Sequence, residues 1–174
     1  TVDEEVILTI GRQTPVITWA TPEAITYGTP LGPNQLNAEA NVEGSFDYTP
    51  KAGEILDAGE VTLRATFTPA NLDKYSKVDK EVTLTVNKVP LTVSAKNVSR
   101  PYGVPDRAFE LNYDGFVNGE DESVLTTPVS ASTPAKQDSP PGEYPIVLSG
   151  GEAPNYEITL VNGTLTIVSQ TPVI

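Results

Sequence analysis

The stretch LTIVSQTPVI, residues 165–174, decides the organisation of the chain because it repeats LTIGRQTPVI, residues 8–17. Eight of the ten positions are identical, and the two copies lie 157 positions apart (165 − 8). A repeat at a fixed distance is typical of an array of similar structural units. The sequence therefore predicts that the chain covers one period of a longer array, with a short overlap into its neighbours.

The same motif recurs once within this period, as VTLTV at residues 82–86. Its Leu84 lies 76 positions after Leu8 and 81 positions before Leu165 (84 − 8 and 165 − 84). The two intervals also share a Tyr-Gly-x-Pro motif, which begins at Tyr27 in the first and at Tyr102 in the second. Two tandem modules of similar size are therefore expected.

These spacings set the expected boundaries of the modules. Residues 14–88 form the first module and residues 89–168 the second, with a short connection that contains a proline. Residues 1–13 would then be the last strand of a preceding module, and residues 169–174 the start of a following one. Such a connection is short and stiff, which restricts the orientation between neighbours.

The hydrophobic pattern along both modules is that of β-strands. Apolar and polar residues alternate over 61–68, 81–86, 109–113 and 156–161, and Thr, Val, Ile and Tyr dominate these segments. Asn162-Gly163 between two such segments predicts a two-residue hairpin turn. One helical segment is expected, at 120–125, with Asn118 as its cap. The fold class is therefore mainly β.

Composition excludes several classes of function. The chain has 174 residues with 11 basic and 23 acidic side chains, a net charge of −12, and it contains no Cys, His or Met. Its acidity disfavours nucleic acids and anionic membranes as partners, since both are bound by neutralising negative charge. The missing residue types remove imidazole bases, thiolate nucleophiles, zinc-thiolate sites and disulfides. No apolar segment approaches the roughly 18 residues that cross a bilayer.

The motifs of both modules resemble known families. Residues 14–88, with Tyr27-Gly28-Thr29-Pro30 and an Asn71 that leads to Tyr75, resemble bacterial Ig-like repeats. Residues 90–168 are similar to the YGX-type MBG domain of bacterial adhesins. The motifs that carry this second likeness are Tyr102-Gly103, the segment 113–119, the segment 142–146, Asn155-Tyr156 and the segment 161–167. The resemblance implies an Ig-like β-sandwich followed by a β-rich module with one short helix, for which a β-grasp is one option.

Several side chains suit either a ligand contact or a structural role. Trp19, Tyr48 and Tyr144 are candidates for stacking on a glycan or contacting a protein, while Trp19 also suits the core. Tyr75 and Tyr156 fit a tyrosine corner, in which the hydroxyl bonds nearby backbone. Gly28 and Gly103 are expected to adopt a backbone conformation closed to other residues.

We expect no catalytic, cofactor or metal residues. The acidic segment 120–122 lacks the spacing of a calcium loop, and carboxylate pairs for glycoside hydrolysis need a cleft that small hairpin modules seldom offer. Adhesins sometimes carry a Lys–Asn or Lys–Asp isopeptide bond. Its candidate lysines lie in or near strands, at Lys51, Lys80, Lys88 and Lys96.

The sequence thus predicts a monomeric, non-catalytic, extracellular segment of a bacterial surface or secreted adhesin. It would act as a semi-rigid stalk, with neighbouring modules of the same chain as its partners. The alternative is a binding module that recognises a glycan or a protein through exposed aromatic side chains.

Overall fold

The computed structural model describes residues 11–170 and divides the chain into two compact units, which meet between Val86 and Asn87. The flanking strand predicted for residues 1–13 and the new module predicted for residues 169–174 lie mostly outside the described residues. Gln13, at the end of the predicted flanking strand, is described, and it forms a parallel bridge with Tyr75. The expected boundaries of the modules stay predictions.

Between residue 11 and Val86, the first unit contains a four-stranded sheet and a two-stranded ribbon. The sheet has the order β2-β6-β5-β4, and β1 pairs with β3 in the ribbon. The strands are β1 (Ile17–Thr18), β2 (Ile25–Thr26), β3 (Glu39–Ala40), β4 (Gly44–Thr49), β5 (Gly59–Pro69) and β6 (Val78–Asn87). β4, β5 and β6 form an antiparallel meander, in which Phe46 lies opposite Phe67 and Leu63 opposite Val82.

The core of this unit follows from the alternation along β5 and β6. Leu63, Ala65 and Leu84 are fully buried, whereas Arg64, Thr83 and Thr85 beside them in sequence are polar and exposed. Successive side chains of a strand point to opposite faces, so this alternation leaves one face of the sheet for the core. Loop residues cover that face, among them Trp19 and Leu31.

The second unit is a sandwich of two sheets, one with the order β12-β7-β9 and one with the order β10-β11-β13-β8. Its elements are β7 (Val89–Ala95), β8 (Val98–Pro101), β9 (Leu111–Asp114), a 3-10 helix (Glu122–Val124), β10 (Thr127–Ser132), β11 (Gly142–Glu152), β12 (Tyr156–Val161) and β13 (Gly163–Val168). β12 runs parallel to β7 and β13 runs parallel to β8. Leu91, Ile146 and Leu165 are fully buried within it.

The prediction of a mainly β protein is confirmed, but the predicted hairpin at Asn162-Gly163 is wrong. β12 and β13 belong to different sheets, so the chain changes sheet at this point. Asn162 Oδ1 accepts a hydrogen bond from the Leu148 amide at 3.0 Å. A Cβ on Gly163 would lie 2.7 Å from the Ala95 carbonyl oxygen, so close approach to β7 requires the glycine, not a turn with positive φ.

The short helix forms within the expected segment, but its cap differs from the prediction. Asp121 is the N-cap residue, and its Oδ1 accepts a hydrogen bond from the Ser123 amide at 2.9 Å. Asn118 has a φ of +57° and lies in the preceding turn. The β-grasp option is not what forms, because the second unit has two packed sheets and its helix is a single 3-10 turn.

The shared Tyr-Gly-x-Pro motif forms the same turn in both units. Thr29 N donates to Thr26 O at 3.0 Å, and Val104 N donates to Pro101 O at 3.2 Å. Gly28 and Gly103 have φ of +91° and +79° at the third position, as a type II turn requires. The backbone role predicted for these two glycines is confirmed.

Candidate functional site

Trp19 lies in the core of the first unit, where it is 6% exposed. Its indole Nε1 donates to the Gln35 carbonyl oxygen at 3.0 Å, and its ring meets that of Tyr48 edge to face, with centroids 5.5 Å apart. A buried indole that satisfies its N–H and packs on a second ring stabilises a core. The side chain is therefore not an exposed stacking surface.

Tyr48 lies between the buried Trp19 and the surface of the same unit. The ring is half-buried and lies nearly parallel to that of Phe46, and the hydroxyl accepts a hydrogen bond from the Ala38 amide at 3.0 Å. Burial raises the pKa of Tyr48, and the Ala38 hydrogen bond partly opposes this shift. A shallow cleft of about 300 Å³ adjoins Phe46, Tyr48 and Lys51. The sides of Phe46 and Tyr48 that face this cleft form the surface that a ligand could contact.

Tyr144 lies on β11 of the second unit and is half-buried. Its hydroxyl donates to the Pro140 carbonyl oxygen at 2.9 Å, which fixes the side chain over the preceding turn. Trp19 and Tyr48 are therefore in contact in the first unit, whereas Tyr144 belongs to the second unit. A ligand-binding role for Tyr48 or Tyr144 stays a prediction.

Tyr156 is a buried tyrosine whose hydroxyl is bonded to residues distant in sequence. The hydroxyl donates to Glu120 Oε2 and accepts from the Val117 amide at 3.2 Å. It thereby ties the loop before the 3-10 helix to β12, whereas a tyrosine corner bonds backbone a few residues away. Tyr75 is half-buried, and its amide donates to Asn71 O at 3.1 Å.

The side chains of Glu120 and Asp121, in the acidic segment 120–122, have different structural roles. Glu120 binds the Tyr156 hydroxyl, while Asp121 caps the 3-10 helix. Hydrogen bonds from Ser123, through its side chain and its amide, lower the pKa of Asp121. Within residues 11–170 no three acidic side chains are arranged to hold a metal ion.

The lysines considered for an isopeptide bond are exposed. Lys96 Nζ lies 2.7 Å from Glu110 Oε2, and both side chains are more than half exposed. This ion pair lowers the pKa of Glu110 through a hydrogen bond and its positive charge. Exposed pairs of this kind contribute little to stability. Lys51, Lys80 and Lys88 are also exposed.

Sequence reasoning missed Arg100, the one buried charged residue of the described segment. Its guanidinium bonds Asp106 through Nε, and its Nη2 donates to the Lys136 carbonyl oxygen at 2.8 Å. Nη1 lies 3.4 Å from each of two further carbonyl oxygens, those of Pro101 and Gln137. Arg100 therefore joins β8 to the loops around 106 and 136. The Asp six residues later was the only signal in the sequence.

A cleft of about 560 Å³ lies beside this ion pair, with Arg100, Asp106 and Phe109 in its walls. The donors of Arg100 already face carboxylate and carbonyl oxygens of its own unit. A buried charge that is paired and hydrogen-bonded in this way stabilises local structure. The arrangement fits a structural role better than recognition of an anion.

Comparison with known proteins concerns the second unit. Residues 91–166 match the family model of the MBG domain (YGX type), which confirms that part of the resemblance. The match covers less than half of the chain, and the Ig-like character of the first unit stays a prediction. No curated protein matches the chain. MBG domains occur in bacterial surface and repeat proteins. None of the helices in residues 11–170 has the length and apolar character to span a bilayer.

Proposed function

We propose that this chain is a non-catalytic segment of a bacterial surface or secreted adhesin. It acts outside the cell as a semi-rigid stalk that presents other domains, and its partners are neighbouring modules of the same chain. The match of residues 91–166 to the MBG domain supports this proposal. The net charge of −12 adds solubility and disfavours nucleic acids as partners.

The connection between the units is the observation that carries the proposal. β6 ends at Asn87 and β7 begins at Val89, so Lys88 alone separates the two strands. Pro90 then fixes one more φ angle within β7. Very few backbone dihedrals are left to change the direction of the chain, unlike in a long Gly/Ser linker.

The alternative function is recognition of a glycan or a protein through exposed aromatic side chains. Of the three aromatic residues predicted as contacts, Tyr48 and Tyr144 remain, because Trp19 is buried. No contact on the surface favours it over the stalk.

The stalk proposal is tested by measuring how widely the distance between the units varies. Because the chain has no cysteine, Thr62→Cys and Ser99→Cys give two unique sites for spin labels, one in each unit. Electron–electron double resonance should show a narrow distance distribution. Insertion of Gly-Ser-Gly-Ser after Lys88 should broaden it.

Lys88→Ala is the matched control, since it changes the same position without lengthening the connection. It should leave the distribution narrow. An equally broad distribution in the unmodified chain and in the insertion variant would overturn the proposal.

A further inference from the structure

β12 is an edge strand whose free hydrogen-bonding groups follow from the register of its sheet. The Val89 amide donates to Asn155 O at 3.0 Å, and Tyr156 lies opposite Val89 in the parallel pair. In a parallel ladder, alternate residues of a strand bond to one neighbour. Glu157, Thr159 and Val161 therefore direct their amides to β7.

The intervening residues of β12 present their backbone groups to the open edge. The N–H and C=O groups of Ile158 and Leu160 face away from β7, and no backbone bond outside the sheet reaches them from residues 11–170. A cleft of about 960 Å³ adjoins the start of this strand, at Tyr156, Glu157 and Ile158. Unpaired strand edges of this kind are templates for a further strand.

Four other strands at sheet edges carry features that discourage pairing, and β9, at the opposite edge of the β12 sheet, has only four residues and ends at Asp114. β10 contains Pro128, β8 ends at Pro101, and β2 has only two residues. β4 has Asp47 in its middle, so a twofold axis there would bring two carboxylates together. In β12 the middle exposed residue is Thr159, and the strand has neither Pro nor Lys.

We propose that β12 pairs antiparallel with β12 of a second copy of this chain, about a twofold axis at Thr159. Ile158 then lies opposite Leu160 of the second copy, and the outward N–H and C=O groups of both residues form four hydrogen bonds. Thr159 faces Thr159 of the second copy at the close, non-hydrogen-bonded position, which is a favourable cross-strand pair. Two three-stranded sheets become one continuous six-stranded sheet.

The charges of β12 permit this register. Its single charged residue, Glu157, lies opposite Val161 of the second copy, whose side chain is 45% exposed and becomes covered. The two Glu157 carboxylates are about 14 Å apart, from four residues of strand rise and one strand spacing, beyond the screening length of about 8 Å at physiological salt. The net charge of −12 on each copy opposes association, so added salt should strengthen it.

This surface revises the sequence-based expectation of a monomer, and it does not depend on the stalk. Sedimentation velocity of the full chain over a concentration series should show reversible dimers, which increase with ionic strength. Thr159→Lys and Thr159→Glu each place like charges directly opposite, and each should weaken association by about tenfold or more. A mixture of the two variants should dimerise again at the ionic strength at which the unmodified chain dimerises, because Lys then faces Glu.

Thr83→Lys is the matched control, because Thr83 is also an exposed threonine on a strand, but in the other unit. It should leave dimerisation unchanged. A chain that stays monomeric at every concentration, or a mixture that fails to associate, would overturn the proposal.

Amide exchange tests the register if a Thr159 variant folds poorly. The amides of Ile158 and Leu160 should exchange quickly in dilute protein and become protected as its concentration rises. The amide of Thr159 bonds to β7 and should be protected in both states. Exchange of Ile158 and Leu160 that does not change with concentration would contradict this register.

Discussion

Arg100 shows how a single residue organises the loops of the second unit. It is 6% exposed, and its guanidinium donors are shared between Asp106 and backbone carbonyl oxygens of the surrounding loops. Loss of one partner of a buried pair leaves a charge without compensation. The loops around 106 and 136 therefore depend on this one side chain.

Asp106→Ala should lower the free energy of unfolding by about 2–3 kcal/mol, measured by urea denaturation. The expected loss is below that of a fully buried pair, because Asp106 is a quarter exposed and the carbonyl oxygens still accept from Arg100. Glu110→Ala removes the exposed partner of Lys96 and should cause no measurable change. Equal losses in the two variants would contradict the structural role of Arg100.

The sequence predicted some residue roles and missed others, for physical reasons. Gly28 and Gly103 were predictable because a positive φ before x-Pro has a local cause. The role of Tyr156 was not, because its partners Val117 and Glu120 are brought to it by the fold. Trp19 could be given two roles from sequence, and only its burial decides between them.

At the scale of elements, alternation predicted the strands but not their partners. β5 and β6 pair as neighbours in sequence, whereas β12 and β13 lie in different sheets despite the Asn-Gly between them. The hairpin signal failed because Gly163 serves close packing against Ala95, a contact between residues 68 positions apart (163 − 95). Pairing depends on such long-range contacts, which no local pattern records.

Gly163→Ala tests this interpretation of the sheet change. The new methyl group would press on the backbone of Ala95, and we expect a loss of about 1–3 kcal/mol in the free energy of unfolding. Gly11→Ala is the control, because no atom of residues 11–170 lies within 4 Å of a Cβ at that position. A Gly163 variant as stable as the Gly11 variant would show that the approach to β7 is not tight.

At the scale of the whole molecule, repeats in the sequence predicted two units, and the structure has two. Each has its own buried residues, with Leu63 and Leu84 in the first and Leu91 and Ile146 in the second. The copies of the strand motif at 82–86 and 165–167 lie in the last strand of each unit. The sequence did not reveal the open edge of β12, which depends on strand order.

The second unit should fold without the first. A chain of residues 87–170 keeps all seven strands of its two sheets, since β7 to β13 pair with one another and with no other strand in residues 11–170. Domains of this size commonly fold alone. We expect dispersed amide resonances and cooperative thermal unfolding, whereas a disordered spectrum would show that it depends on the first unit.

The parallel strand pairs of the second unit determine how it responds to tension. β7 begins the unit and runs parallel to β12, while β13 ends it and runs parallel to β8. A force that pulls the two ends apart acts along these strands, so it slides each pair in shear. Many hydrogen bonds then share the load and must break together, whereas a hairpin pulled at its open end unzips one bond at a time. The topology thus predicts that the unit resists a force applied between its two ends better than a hairpin of the same length would.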